Sequence, residues 1–303
     1  MKVSVIIPAC NEFPQIAFTL DSIEHELRDI EHEVIVAFNN STDEGEEYIK
    51  GRGTNIRSVN SETGSCWKAR SLGAKKANGD ILFFFDAHIL LEHHSIERCL
   101  DVFEEKKDVG IVWMAMRYLM DQKRVCYGYD LKPEKFWGNW TSHRREIDPY
   151  PLTMSGAAGF AIRRKTFEAI KGYHPDFGIY GGGEPYLAFK AERLGYRNYI
   201  CPLAVFAHYN AKRKYSWNND DLWRNFLLAS YTTGGEHWLK KIKGHYYGIC
   251  NGNKTYENRL EEIVQEAKEL GEEDHQWIED NSLLSLDRVI ERDLTAKERS
   301  RNG

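Results

Sequence analysis

The apolar run ILFFF at positions 81–85 is followed at once by Asp86 and, two places on, by His88. A carboxylate and a neutral imidazole are suitable ligands for Mn²⁺ and similar divalent ions. Two residues apart on an extended tip they point the same way, where they can share one ion whose charge offsets a bound diphosphate. A second carboxylate, Glu184, comes directly after three glycines in YGGGEPYL, and glycines let a backbone approach a ligand closely. A further histidine, His208, ends VFAHY and precedes the basic run Lys212, Arg213, Lys214. Each feature also has an ordinary structural explanation. Asp86 can cap a turn, Glu184 can cap the helix that follows it, and a basic run can be a solvated face.

These residues need elements to carry them. Val3–Ile7 reads as a short strand stopped by Pro8, followed by a helix over about 14–30. Val34–Phe38, a helix over about 43–51, Ile56–Val59, a helix over about 65–78 and the strand 81–85 repeat the pattern. Alternating strands and helices predict an α/β fold with a mostly parallel central sheet flanked by helices. Ligands of such sheets gather at the carboxyl ends of the strands, where Asn11, Asn39 and Asp86 all fall. From about 109 to 150 the alternation weakens, and Trp113, Tyr118, Tyr127, Tyr129, Phe136, Trp137 and Trp140 are interleaved with polar residues. That density suits either a binding wall or ordinary core. Beyond about 256, Leu260, Ile263 and Ala267 recur at helical spacing in a charged tail. The expected organisation is a catalytic domain over 1–240 and a helical C-terminal extension over 241–303.

With 303 residues and 42% hydrophobic content the chain can bury a sizeable core, which argues against disorder. A net charge of −5 gives no global attraction to nucleic acid or to anionic membrane, so any such partner must use a local patch. Six scattered cysteines without a C-x-x-C pair read as reduced thiols and not as a zinc site. No stretch approaches the roughly 20 apolar residues of a spanning helix, and the chain enters directly on KVSVIIP. The expectation is a cytoplasmic protein without a membrane span.

Four stretches, VSVIIPACNE, VIVAFNNSTDE, KARSLGAKKANGDILFFFDAH and GAAGFAIRRKTFEAIKGYHPDFGIYGGGEPYLAFKAERLGYR, occur in the order seen in GT-A nucleotide-sugar glycosyltransferases. Over about residues 3–215 the chain resembles the family 2 group. Its Asp86-x-His88 motif is similar to that of the polypeptide N-acetylgalactosaminyltransferases. The resemblance implies a GT-A, Rossmann-like fold, a nucleotide-sugar donor such as a UDP-sugar, and Mn²⁺ or Mg²⁺ as cofactor. It implies that Pro8, Ala9, Asn11 and Glu12 lie along the nucleoside and that Ala87 belongs to the donor site. Asn39 stands where the family usually has an Asp for uracil or ribose, which leaves the base open. Lys68 and Arg70 lie in a segment that contributes to donor binding in relatives, with phosphate pairing a natural use for either. Asp86, His88 and His208 would hold the ion, Gly182 and Gly183 would approach the sugar, and Lys212, Arg213 and Lys214 would close over the diphosphate.

The glycine turn resembles W-G-G-E-D or W-G-G-E-N, but Pro185 occupies the position of the usual general base. Two options follow: Glu184 is itself the base, or it binds sugar hydroxyls while the leaving phosphate assists same-face transfer. The acceptor is a hydroxyl of a hydroxymethylated DNA base, of a glycan or lipid precursor, or of a peptide, in a compact cytosolic or phage-encoded enzyme. DNA would need a local basic patch, for which Arg144, Arg145, Arg163, Arg164, Lys165 and Lys212–Lys214 are the candidates. Two competing classes are a nucleotidyltransferase, which usually opens with a Gly-rich basic loop that PACNEFPQ does not supply, and a noncatalytic sugar-nucleotide binder.

Overall fold

The computed structural model describes residues 1–210 and 216–302. The chain opens with the expected alternation of β1 (Val3–Ala9), α1 (Gln15–Glu26), β2 (His32–Asn39), α2 (Gly45–Lys50), β3 (Ile56–Ser61), α3 (Cys66–Lys76) and β4 (Ile81–Phe85). β4, β1, β2 and β3 pair in parallel in that spatial order, so their carboxyl ends lie side by side. β1 runs through Pro8 instead of stopping before it. Its ladder with β4 ends at Ile6, so Pro8 has a strand neighbour on the β2 side only and its missing N–H interrupts no pairing with β4.

All five residues of β4 are fully buried. Phe84 stacks on Phe160 at 4.8 Å and meets Phe167 and Tyr173 on one face, while Phe83 and Phe85 pack on the other. Burying one such phenylalanine contributes about 1.5–3 kcal/mol. The strand therefore holds the polar turn at its end against a rigid base.

The chain continues through β5 (Ile89–Leu91), α4 (Ser95–Glu105), β6 (Val109–Tyr118), β7 (Asp121–Cys126), β8 (Tyr129–Lys132), β9 (Trp137–Trp140) and β10 (Tyr150–Pro151). β11 (Gly159–Arg163), α5 (Arg164–Ala169), α6 (Gly183–Arg193) and β12 (Arg197–His208) follow. β11 enters between β4 and β6, antiparallel to both, and β12 runs parallel to β6 and antiparallel to β5. The sheet is thus parallel from β3 to β4 and mixed beyond. The aromatic segment divides: Trp113, Tyr129 and Phe136 are buried in the core, Tyr129 at the edge of a cleft, whereas the β8–β9 ribbon leaves Trp137 and Trp140 partly exposed to that cleft. Tyr118 and Tyr127 lie under Arg124 and Arg144.

α6 is buried along its whole length, charged residues included. Lys190 donates to the Tyr186 hydroxyl, Glu192 pairs with Arg197 and Arg292, and Arg193 donates to Thr233 O at 2.8 Å. Buried charges survive only with such partners, and these fix the helix that begins beside Glu184. The C-terminal helices α7 (Asn219–Cys250, broken at Gly235), α8 (Lys254–Asn281) and α9 (Leu286–Asn302) pack on the body. Leu260, Ile263, Ala267, Leu286 and Val289 join the core that contains Trp67 and Phe84. The expected boundary between 240 and 241 lies inside α7. α9 also reaches the aromatic ribbon, where the buried Lys297 donates to Tyr129 O at 2.9 Å and pairs with Asp293 at 2.6 Å. All six cysteines are free. No helix among the described residues is long and apolar enough to cross a membrane.

Candidate active site

Asp86 sits in the turn after β4, its N–H donating to Ala158 O at 3.1 Å. Arg70 comes up from α3, only 3% exposed, and donates from Nη2 to Asp86 Oδ1 at 2.7 Å and to Ala157 O at 3.0 Å. His208 reaches the same place from 120 residues away because β12 pairs with β5. His208 registers with Ile89, and the N–H of Tyr209 donates to His88 O at 3.0 Å. The two imidazoles stand edge to face with centroids 4.8 Å apart. His208 Nε2 is 3.4 Å from Asp86 Oδ2, and the ligand atoms of Asp86, His88 and His208 all lie within 4.8 Å of one another.

One carboxylate and two imidazoles fit a borderline divalent ion, and two ligands each about 2.1 Å from one ion lie about 3 Å apart. Burial pushes the Asp86 carboxyl up, but the neighbouring His208, Arg70 and His88 outweigh it. The result is a carboxylate held well below its ordinary range, ionised and ready for a cation.

These residues face a cleft of about 890 Å³ bounded by Glu12, Asp86, Glu184, His208, the ribbon aromatics, and Tyr180 with Trp217. A smaller recess of about 80 Å³ opens from it, lined by Pro8, Ala9, Asn39, Ala87 and others, and Glu12, Arg70, Asp86 and His88 border both. Asn39 is buried and donates from Nδ2 to Gly64 O at 2.9 Å. Its Oδ1 has no hydrogen-bond partner among the described residues, an acceptor left for an incoming N–H.

Several expected donor residues have other places. Asn11, with φ 56°, accepts from Thr42 N at 2.7 Å and Asp43 N at 3.2 Å, and so ties the loop after β1 to the loop after β2. It lines neither cavity, because its side chain is used in holding the turn. Glu12 borders both cavities, and its Oε2 lies 3.1 Å from His88 Nδ1. Lys68 is half-exposed on α3 and lines neither cavity, since α3 directs Arg70 inward instead. Arg70 borders both cavities and is engaged with the Asp86 carboxylate through Nη2. Gly182 and Gly183 are buried behind the site. A Cβ on Gly182, at φ 76°, would strike Asn225 O at 2.4 Å, and one on Gly183 would strike the Trp67 ring at 2.5 Å. These glycines let α7 and Trp67 close on the turn. Lys212, Arg213 and Lys214 lie outside the described residues.

Glu184 occupies the first turn of α6 and opens on the cleft, yet is only 8% exposed. Burial pushes its carboxyl up to about 7, against the pull of the backbone N–H groups of Glu184 and Ala157 and the charge of Arg70, with Asp86 adding to the rise. Its Oε2 has no partner among the described residues. A carboxyl of that kind changes protonation near neutrality and is suited to exchanging a proton with a hydroxyl.

The site also includes residues the sequence did not single out: Tyr180, Trp217, Asn210, Gln15 and Met116. Tyr180 and Trp217 form a pair 4.7 Å apart on a different segment from the ribbon. Only aromatic type marked them beforehand, and aromatic type is shared with the core. Among the described residues, none of the candidate basic patch lines this cleft. Arg163 registers with Ile81, at the far end of β4 from Asp86, and Arg145 lies over Tyr150.

Comparison with known proteins identifies the fold and the family. The model of the family described as Glycosyl transferase family 2 matches residues 4–171. Polypeptide N-acetylgalactosaminyltransferase 5 of Caenorhabditis elegans is 26% identical over 78% of the chain and 40% of its own length. The inactive polypeptide N-acetylgalactosaminyltransferase-like protein 5 of Macaca fascicularis is 28% identical over 74% of the chain and 53% of its own. The chain thus spans about half the length, or less, of these two curated relatives. Among solved structures, GalNAc-T7 with UDP, GalNAc and Mn²⁺ superposes with a TM-score of 0.67 at 15% identity, covering 89% of this chain and 56% of that one. The mannosyltransferase PcManGT of Pyrobaculum calidifontis, with GDP-Man and Mn²⁺, gives 0.55 at 20% identity over 88% and 74%. These likenesses establish a GT-A fold. With the family model covering more than half of its 303 residues, the protein belongs to glycosyl transferase family 2.

Proposed function

We propose that the protein is a metal-dependent glycosyltransferase that moves a sugar from a nucleoside diphosphate sugar, a UDP-sugar in the first instance, to an acceptor hydroxyl. The observation that carries this is the convergence of Asp86, His88 and His208 at the mouth of a recess lined by Pro8, Ala9, Asn39 and Ala87. Bound there, Mn²⁺ or Mg²⁺ would offset the charge of the donor and leaving diphosphate. Asp86 supplies a fixed negative charge, and Arg70 keeps it oriented. Asn39 offers an unpartnered acceptor to a ring N–H, which uracil has and cytosine and adenine lack. Glu184 exchanges a proton or hydrogen bond with a hydroxyl of the reacting sugar or acceptor. Two curated relatives are described as inactive, so turnover must be tested directly.

The acceptor side is the aromatic part of the cleft. Its described lining contains one lysine or arginine, Arg70, already held by Asp86, against the carboxylates of Glu12, Asp86 and Glu184. The aromatic rings of Trp137 and Trp140 support an acceptor that lays an apolar face on them.

The test is calorimetric titration of UDP, CDP, ADP and GDP with and without Mn²⁺, on wild type and Asp86→Asn. Metal-dependent binding of UDP that disappears in the variant supports the reading. Binding that ignores Mn²⁺ refutes the metal assignment, and no binding of any diphosphate refutes the donor site.

A further inference from the structure

We propose that Glu12 and Asn210 are positioning residues that fix the tautomers of His88 and His208, so that each imidazole turns an unprotonated Nε2 to the ion. The inference rests on the metal reading above. Glu12 Oε2 lies 3.1 Å from His88 Nδ1, and Asn210 Oδ1 lies 2.7 Å from His208 Nδ1. Neither oxygen carries a proton to give, so in each pair the imidazole Nδ1–H is the donor. A neutral imidazole has one ring proton, and once it is on Nδ1 the lone pair is on Nε2. For His208 that is the atom 3.4 Å from Asp86 Oδ2.

Asp86 is prepared in the same way. Arg70 holds Oδ1 at 2.7 Å, which directs Oδ2 toward His208. Each candidate ligand therefore has its own partner behind it: Arg70 for Asp86, Glu12 for His88, Asn210 for His208. Partners of this kind orient a ligand and raise its basicity, and their loss weakens metal binding about 10–100-fold. Glu12 is well fixed for the task, because its carbonyl accepts from Ile16 N at 2.9 Å at the start of α1. The turn that begins the first helix thereby reaches the metal site. Glu12 borders the cavities as well, so the alternative to be separated is that its carboxylate binds the ion directly.

The experiment uses the full chain, two readouts and paired variants. In metal-free protein above the imidazole titration range, long-range ¹H–¹⁵N spectra report the tautomer of each histidine. Wild type and Glu12→Gln, whose amide oxygen still accepts, are expected to keep His88 protonated at Nδ1. Glu12→Ala is expected to release it to a mixture. Asn210→Asp and Asn210→Ala are the corresponding pair for His208. Mn²⁺ affinity at saturating UDP, read from the paramagnetic resonance of free Mn²⁺, is expected to fall about 10–100-fold in the two alanine variants. It should return to within a few-fold of wild type in Glu12→Gln and Asn210→Asp.

Equal loss in Glu12→Ala and Glu12→Gln overturns the proposal and makes Glu12 a direct ligand. An unchanged tautomer and affinity in Glu12→Ala overturns it as an incidental contact, and Nε2–H signals for both histidines in wild type overturn it without any variant. If wild type binds UDP but no Mn²⁺, the metal reading fails, while the tautomer spectra of the metal-free protein still decide what Glu12 and Asn210 do.

Discussion

Replacing Glu184 by glutamine removes a charge from the interior while keeping the volume, and its consequences for stability and turnover should have opposite signs. The native carboxyl is raised from 4.5 to about 7, first by burial. A group whose folded pKa is raised contributes stability that is present below its unfolded pKa and is lost as pH climbs through the folded one. For Glu184 that window runs from about 4.5 to about 7, and the full loss corresponds to at most about 3 kcal/mol. Glutamine cannot ionise, so Glu184→Gln should match wild type near pH 4.5 and exceed it by about 1–3 kcal/mol at pH 8. Urea unfolding of both proteins across that range measures the difference. Sugar transfer, or release of UDP from a UDP-sugar to water, should meanwhile fall by roughly 10²-fold or more. A difference that does not change between pH 5 and pH 8 would refute the claim that this carboxyl is buried and reluctant to ionise. Unchanged turnover would remove it from the chemistry. A gain in stability joined to a loss of activity is what a strained functional carboxylate predicts.

Two other substitutions test the supports of the site. Asp86→Ala leaves the Arg70 guanidinium, 3% exposed, without its carboxylate, so it should lose about 3 kcal/mol as well as Mn²⁺-dependent UDP binding. Asp86→Asn keeps an oxygen for Arg70 and should lose the binding with a smaller drop in melting temperature; equal stability of the alanine variant and wild type would show that Arg70 does not depend on Asp86. Lys297→Met removes the partner of Asp293, itself 2% exposed, and the donor to Tyr129 O. It should destabilise by about 3 kcal/mol and shift the tryptophan emission of the ribbon, with UDP binding preserved. If melting temperature and emission both stay at wild-type values, α9 does not hold the aromatic ribbon.

The strands and helices of the first 85 residues were legible in order because each is a β-branched run or an amphipathic stretch bounded by turn residues, which are local properties. Boundaries were less legible: α1 ends at Glu26 and not near 30, and ending β1 before Pro8 came from treating proline as a stop without knowing that β1 lacks a β4 neighbour at that point. Asp86 and His88 were legible as a pair because they are two residues apart on one turn. Membership of the carboxylate and histidine set was likewise open to reading from residue types and from likeness to a family.

What only the tertiary structure decided is which residues meet across long separations. Pairing of β12 with β5 carries His208 to His88, and no local signal marks that ladder. Arg70 and Lys68 are two apart on one helix, yet the rotation of α3 buries the first against Asp86 and leaves the second half-exposed. The glycines before Glu184 read as a place of close approach, and only the packing shows that Asn225 and Trp67 lie against them. Trp137 and Trp140 became a wall while Trp113, Tyr129 and Phe136 were buried, because side-chain type fixes how much surface wants burial and only the packing fixes which face receives it. Charge followed the same rule: the sequence counts Glu184 as one acid among 46 acidic residues, and its burial at the start of α6 is what raises it to about 7.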